Sequence, residues 1–513
     1  MTPRDEEHTE SPRIAWAEAM PPGTPEVPVA IVGAGACGLT AAAFLREAGI
    51  DCVLLERDAL PQGSTALSSG FIPAAGTRAQ RQAGVLDDDA ARFAADIQAK
   101  AKGTAAPHLV QAYAEAVAPA LDALAERHGL AFEVLGGFLY PGHSRLRMHT
   151  LHERTGAALV AALHAAAERA GAMIVTEAVV REVWCRRAGD GDAGGARTGP
   201  PDIGSPAAGS RIGRGETEGR PTVIGLGFRR PDGRMEHLAC RALLLACNGF
   251  GGNAAMVREL LPEMRDAVFG GHAGNDGSAI AWGRALGAGL ADLGGCQGHG
   301  SWAVPQGALI TWALMTEGGI QVNARGERFH DETAGYSEAS VQVLAQPGGV
   351  AWNVFDDRLL ALGRTFPDFV AAEAAGAVRH AADAAALAAV IGCDATTLAT
   401  TLAHTSLGTP LHAIRVTGAL FHTQGGLDID ASCRVRRAGD GAPFPNLWAA
   451  GGAARGVSGN AIWGYLSGNG LLSAVAGGFI AARSIAAAVA TAGEHGDTDR
   501  PAAQPADPRR SIP

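Results

Sequence analysis

Gly33-Ala34-Gly35-Ala36-Cys37-Gly38 sets three glycines at G-x-G-x-x-G spacing, and Glu56 follows 18 residues after the last of them. In such a run the first glycine permits a tight turn, the second lets a pyrophosphate approach the backbone, and the third lets a helix pack on a strand. The helix that follows offers unpaired N–H groups and the positive end of its dipole to phosphate. An acid at this distance is placed to bind ribose hydroxyls. The chemistry is dinucleotide binding. The spacing alone is a weak signal and needs a frame.

That frame is present. Residues 27–32 are a short apolar run of the buried parallel-strand type, residues 39–48 read as a helix and 52–56 as a second strand, so the glycines occupy the first turn of a βαβ unit. FAD and NAD share this fingerprint. The next segment, Gly63-Ser64-Thr65-Ala66-Leu67-Ser68-Ser69-Gly70-Phe71, is dense in small hydroxyl residues and suits a lining for a flavin ring. Further on, helical apolar spacing covers roughly 82–132 and 155–170, strands are expected at 173–180, 242–247 and 447–450, and residues 266–411 carry a mixed pattern of their own. Residues 188–220, rich in Gly, Pro and Asp, interrupt two strand-like runs and read as a long hairpin loop. No internal repeat is visible.

Composition removes several classes. With 513 residues and 47% hydrophobic content the chain has material for two or three domains. Its 42 basic and 52 acidic residues give a net charge of −10, and no cluster of Lys and Arg could neutralise a phosphate backbone, so no nucleic-acid partner is expected. The eight cysteines never form C-x-x-C or a Cys/His cluster, which argues against zinc ribbons, dithiol motifs, c-type haem and cysteine-ligated iron–sulfur centres. Any redox cofactor is therefore expected to be organic, with no metal. There is no uninterrupted apolar run of about 18 residues. The first 27 residues are acidic and Pro-rich, unlike a signal peptide, and the expectation is a cytoplasmic protein without a membrane span.

Several blocks together resemble the fumarate reductase and succinate dehydrogenase flavoprotein family, which includes 3-ketosteroid Δ1-dehydrogenases, over about residues 28–486. Arg147-Met148-His149 before Thr155-Gly156-Ala157 resembles its R-x-H segment, and Ala178-Val179 lies where its backbone reads adenine. Asn275-Asp276-Gly277 resembles its T-G-D-G turn, and Asn323-Ala324-Arg325-Gly326-Glu327-Arg328-Phe329 the block before its proton-transfer residue. Phe421-His422-Thr423-Gln424-Gly425-Gly426 resembles H-T-x-G-G. Leu447-Trp448-Ala449-Ala450-Gly451 and Ser467-Gly468-Asn469-Gly470-Leu471-Leu472 match the late strand and the final Gly-rich helix entry. The resemblance implies FAD, with contacts from Gly33, Gly35, Gly38, Glu56, Ser64, Thr65, Ser69, Gly70, Val179, Asp276, Gly451, Asn469 and Leu471. Where relatives attach flavin covalently through His, this chain has Ser64, so the expected FAD is noncovalent. Gly225-Leu226-Gly227 lacks the third glycine and does not support a second dinucleotide site. Cys247-Asn248 departs from the T-G common before G-F-x-x-N, which puts a local flavin contact in question.

The largest departure concerns charge. Fumarate reductases place an Arg proton donor after this R-F-x-x-E block and an Arg clamp near the last Gly-rich turn, positions held here by Tyr336 and Tyr465. A buried dicarboxylate without its guanidinium would cost several kcal/mol, whereas two phenols suit a neutral carbonyl compound. The pair resembles the ketosteroid dehydrogenases, in which one Tyr exchanges a proton and another bonds the carbonyl oxygen. Tyr336 as base would need a relay, with Glu332, Glu338 and His330 as sequence neighbours; as acid it needs none. His422 and His299 are further candidates to bind substrate oxygen. Each of these four also fits a structural role, as a packing aromatic or a satisfied imidazole. Trp302, Trp312, Trp352 and Trp463 are expected to pack rather than line a pocket.

The expected fold is α/β. An FAD-binding Rossmann-type domain of the glutathione-reductase-like kind (residues 28–265 and 412–486) is interrupted by an α+β capping domain (266–411), with disordered tails at 1–27 and 487–513. The expected function is hydride transfer between flavin N5 and the carbon β to a carbonyl, on an enone- or ketosteroid-like small molecule, with an unidentified electron partner. One alternative is a mono- or dicarboxylate reductase or dehydrogenase using Arg455 as clamp; another is a flavin-binding protein without turnover.

Overall fold

The computed structural model describes residues 11–137, 139–187 and 220–496. Most of the 188–220 insert and residues 1–10 and 497–513 of the expected tails lie outside them.

The apolar runs at 27–32 and 52–56 become the strands Glu26–Val32 and Cys52–Leu55, parallel and in register from Val29–Cys52 to Val32–Leu55. The helix Ala36–Glu47 between them starts three residues earlier than its apolar pattern, because Gly35 serves as N-cap and the glycine turn feeds straight into it. Across the nucleotide-side sheet the order is Arg13–Trp16, Val179–Arg186, Thr222–Arg229, Met235–Leu245, Glu26–Val32, Cys52–Leu55 and Met173–Val175. Pro443–Ala449 adds in parallel to Leu243, Leu244 and Leu245. The final helix, Asn469–Gly496, packs on the first so closely that a Cβ on Gly478 would stand 2.4 Å from the Cys37 carbonyl oxygen.

Three expectations need correction. Residues 11–27 are not all tail: Arg13–Trp16 pairs in parallel with Glu182–Cys185, and Arg13 forms an ion pair with Glu182. Nor does a tail begin at 487, since the last helix runs to Gly496. Residues 412–423, expected in the FAD-binding domain, form with Leu411 a long strand, Leu411–Thr423, that is the spine of the second, seven-stranded sheet, paired antiparallel with Cys296–Ala303, Val350–Asp356 and Val378–Ala381. Its residues from Leu411 to Leu420 are buried, save Arg415. The expected helical stretch 82–132 divides into Ala90–Lys100 and Pro107–His128, with Pro107 at the start of the second helix, where its missing N–H costs nothing.

Candidate active site

A continuous cavity of about 1020 Å³ runs from the glycine turn, between the two sheets, into the capping layer. At the glycine end its shape is set by backbone approach. Gly33 has φ +103°, and a Cβ there would lie 2.6 Å from the Ala246 carbonyl oxygen; one on Gly38 would lie 2.0 Å from the Gly33 oxygen. At Gly35 the nearest atom to such a Cβ is Thr65 Oγ1 at 3.5 Å, and that hydroxyl oxygen accepts from the N–H of Ala36, the first residue of the helix (3.0 Å). Two glycines thus close the turn while the third leaves a cradle open to a pyrophosphate. Glu56, buried beside it, accepts from the Ala34 N–H (2.8 Å) and the Asp58 N–H (3.0 Å). Burial pushes its carboxyl up, against those two donors. The arrangement fits a dinucleotide.

Gly33, Gly35, Glu56, Ser64, Thr65, Ser69, Gly70, Val179, Asp276, Gly451 and Leu471 all line this cavity. Gly38 and Asn469 do not: Gly38 packs under the turn, and Asn469 is fully buried and donates to Ser458 Oγ (3.0 Å). Asp276 is held by Ser278 and Arg57; burial raises its pKa, but Arg57 and the Ser278 donors outweigh it and keep the carboxyl below its ordinary range. Ser64 Oγ accepts from Asn248 Nδ2 (2.9 Å) and Asn275 Nδ2 (2.8 Å), so both lone pairs are used and its proton is left for an acceptor in the cavity. The Cys247-Asn248 departure is explained here, because Asn248 has φ +65°, a left-handed conformation that Asn tolerates well, and its side chain replaces open space with a contact to Ser64.

On the cap side four side chains converge. The ring of His299 stacks on Tyr336 with centroids 4.9 Å apart and planes at 20°; Tyr336 meets Tyr465 at 6.2 Å, and Tyr465 meets His422 at 5.6 Å. All four line the cavity. The Ser467 side chain acts on the Tyr336 phenol, and the backbone of Gly470 and Gly468 on that of Tyr465, each favouring the ionised form but less than burial opposes it. Burial raises both phenols far above their usual range, and burial lowers His299 to about 3 and His422 to about 4. Ser301 N–H donates to His299 Nδ1 (3.1 Å), which leaves the proton of that neutral ring on Nε2. Among the described residues no Lys or Arg is a cause of the shift of any of the four.

Of the relay candidates Glu332 and His330 are engaged elsewhere, whereas Glu338 pairs through one oxygen only and its charge still reaches Tyr336. Glu332 accepts from Arg328 Nε (2.9 Å) and the Gln321 N–H (2.7 Å), Glu338 is paired with Lys100, and His330 bonds Gln321 Oε1 (2.8 Å). Arg455 is not a clamp either: its Nε and Nη2 donate to Asp292 Oδ2 (3.0 and 2.9 Å) and its Nη1 to Asp428 Oδ1 (3.0 Å), and it does not reach the cavity. Trp312, expected only to pack, lines the cavity with Leu309, Leu362, Phe366 and Pro367 in a lobe under the cap that Glu317, Arg358 and Asp368 also line, whereas Trp302, Trp352 and Trp463 stay out of it. Tyr140 also reaches the cavity. Its rarity in a chain with four tyrosines was the signal that could have drawn attention to it.

Residues 28–471 match the family described as FAD binding domain. The chain belongs to that family. FAD is accordingly the cofactor of this flavoprotein. It is 25% identical over 454 residues to the NADH:fumarate oxidoreductase of Klebsiella pneumoniae (strain 342), covering 84% of this chain but only 45% of that relative. Its fold is similar to that of a flavocytochrome c3 fumarate reductase in an open conformation (TM-score 0.71, 22% identity, 91% of this chain and 79% of the other). It is equally similar to a 3-ketosteroid-Δ4-(5α)-dehydrogenase from Rhodococcus jostii RHA1 in complex with 4-androstene-3,17-dione (TM-score 0.70, 23% identity, 92% and 99%).

Proposed function

We propose that this flavoprotein exchanges a hydride at the carbon β to a carbonyl and a proton at the α carbon of an uncharged substrate with an apolar body, on noncovalently held FAD. The observation that carries the reading is the cluster of two phenols and two neutral imidazoles on one cavity wall, with no guanidinium among them. FAD supplies the hydride exchange at N5 when bound. Tyr336, protonated throughout the neutral range, gives the proton to the α carbon; Tyr465 and His422 donate hydrogen bonds to the carbonyl oxygen, where negative charge develops. The apolar side chains of Leu309, Trp312, Leu362 and Phe366 take the rest of the substrate.

Glu332 and His330 are engaged elsewhere, and the Glu338 carboxylate, which holds Lys100 through one oxygen, raises the Tyr336 phenol further, so Tyr336 has an acid's environment, which favours reduction of the activated C=C bond. Ser64 offers no imidazole for a covalent flavin bond. The test is anaerobic: the photoreduced holoenzyme is mixed with cyclic and steroid enones and with fumarate, and flavin absorbance is followed. Reoxidation by enones and not by fumarate is the expected result. Reoxidation by fumarate alone would overturn the reading.

A further inference from the structure

Three buried side chains from three separate stretches of the chain form a line that ends on the half-buried His422. Asn469 Nδ2 donates to Ser458 Oγ (3.0 Å), Ser458 Oγ donates to Gln424 Oε1 (2.9 Å), and Gln424 Nε2 stands 3.0 Å from His422 Nδ1. Gln424, Ser458 and Asn469 are 4%, 1% and 0% exposed, so water does not compete for these bonds.

We propose that Gln424 and Ser458 are positioning residues that fix the tautomer of His422, holding its proton on Nε2 so that the ring acts toward substrate only as a hydrogen-bond donor. The inference rests on the role given to His422 above. A serine has one proton; with its oxygen accepting from Asn469, that proton is committed to Gln424 Oε1. The oxygen end of the amide being occupied, its NH2 end faces the imidazole, and a ring nitrogen that accepts a hydrogen bond carries no proton. One competitor exists, the Thr423 carbonyl oxygen, 3.4 Å from the same Nδ1, which would serve the opposite tautomer; the amide is closer and is itself anchored. At the other pole Nε2 faces Gly470, where a Cβ would intrude to 2.6 Å. Tyr465 is the titratable group facing the ring, and no ionised side chain contributes to its surroundings.

The same chain with any residue at 424 that cannot donate would free Nδ1 to take the proton and turn it toward Thr423, removing the donor from the substrate side. The test uses FAD-loaded protein labelled with 15N-histidine, His422 being assigned by difference from His422→Gln. The wild type is expected to show an unprotonated Nδ1 and a protonated Nε2. Gln424→Glu, whose carboxylate only accepts, is expected to give a protonated Nδ1, and Ser458→Ala to give a mixture as the amide becomes free to turn. Enone turnover by Gln424→Met is expected to fall by about 10²-fold, the loss typical of one donor to a developing oxyanion, in kcat rather than KM. A wild-type ring protonated on Nδ1, or a Ser458→Ala spectrum identical to wild type, would overturn the proposal. The tautomer is read without substrate, so a protein that reduces no enone yet shows the expected signals would sink the functional reading and leave this one standing.

Discussion

Replacing Tyr336 by Phe removes one hydroxyl and little else. The phenyl ring keeps its stack on His299 at 4.9 Å and its edge contact with Tyr465 at 6.2 Å, so buried apolar area barely changes. The one bond lost is that between Ser467 and the phenol, which costs about 0.5–1.5 kcal/mol of stability and leaves the fold and the flavin in place. The chemical loss is larger, since a positioned general acid contributes about 10²–10⁴ in rate, equivalent to about 2.7–5.4 kcal/mol of barrier at 1.36 kcal/mol per decade. The assay is anaerobic stopped flow on the half-reactions. Photoreduction of the flavin should be unaffected, whereas reoxidation by an enone should slow by about 10²–10⁴ and lose its solvent deuterium isotope effect. The raised phenol also fixes the pH dependence: Tyr336 stays protonated well past its usual value, so wild-type reoxidation should be flat through neutrality up to at least pH ~10. A Tyr336→Phe enzyme that reoxidises as fast as wild type, or a wild-type rate that falls with a neutral pKa, would refute the assignment of the acid.

Gly33→Ala should purify without flavin absorbance, because its Cβ would stand 2.6 Å from the Ala246 oxygen and 3.0 Å from its carbon, both backbone atoms, at a φ of +103°. Gly470→Ala should retain FAD yet lose enone turnover, since the added methyl falls 2.6 Å from His422 Nε2; titration of bound flavin against turnover separates the two effects. Arg455→Ala should lower thermal stability by about 3 kcal/mol, the low end for a broken buried pair because Arg455 retains 18% side-chain exposure, and leave the KM for substrate unchanged. Acid stability follows from the imidazoles. The folded His299 and His422 hold their protons only near pH 3 and 4 while the unfolded chain takes them up at about 6.5, so stability should fall as pH drops from about 6.5 toward 4 and should be partly recovered in His299→Gln, by denaturant titration.

The βαβ unit was legible because glycine spacing and apolar period are both local, and each constrains the other. The strand Arg13–Trp16 was not, since four residues in an acidic, Pro-rich stretch become a strand only through pairing with Glu182–Cys185, some 170 residues away. The strand Leu411–Thr423 shows the same limit at larger scale: it was not legible as a strand, and nothing in the order of its residues says which of two sheets will pair with it. Arg455 looked like a spare positive charge because its neighbours in sequence are Ala454 and Gly456, while its counterions, Asp292 and Asp428, come from distant turns. Gln424 carried no signal at all, being one polar residue between a threonine and a pair of glycines; its meaning depends on Ser458 and Asn469 arriving from another loop.

What the folded chain adds most clearly is the role of a single short segment, residues 465–471. Tyr465 supplies one phenol, Ser467 acts on the other, the backbone of Gly468 and Gly470 acts on the Tyr465 phenol, the missing Cβ of Gly470 admits His422, Asn469 starts the line of hydrogen bonds that reaches it, and Leu471 lines the cavity. The groups proposed to polarise substrate and part of the cavity wall therefore share one stretch of backbone at the entry to the last helix. A change of charge at 465 would not act alone. A guanidinium there would meet a phenol at 336 and a neutral imidazole, neither of which can accept its charge. Passage from a phenol to a guanidinium at 465 would therefore have to be matched by changes at 336 and 422, the side chains that face it.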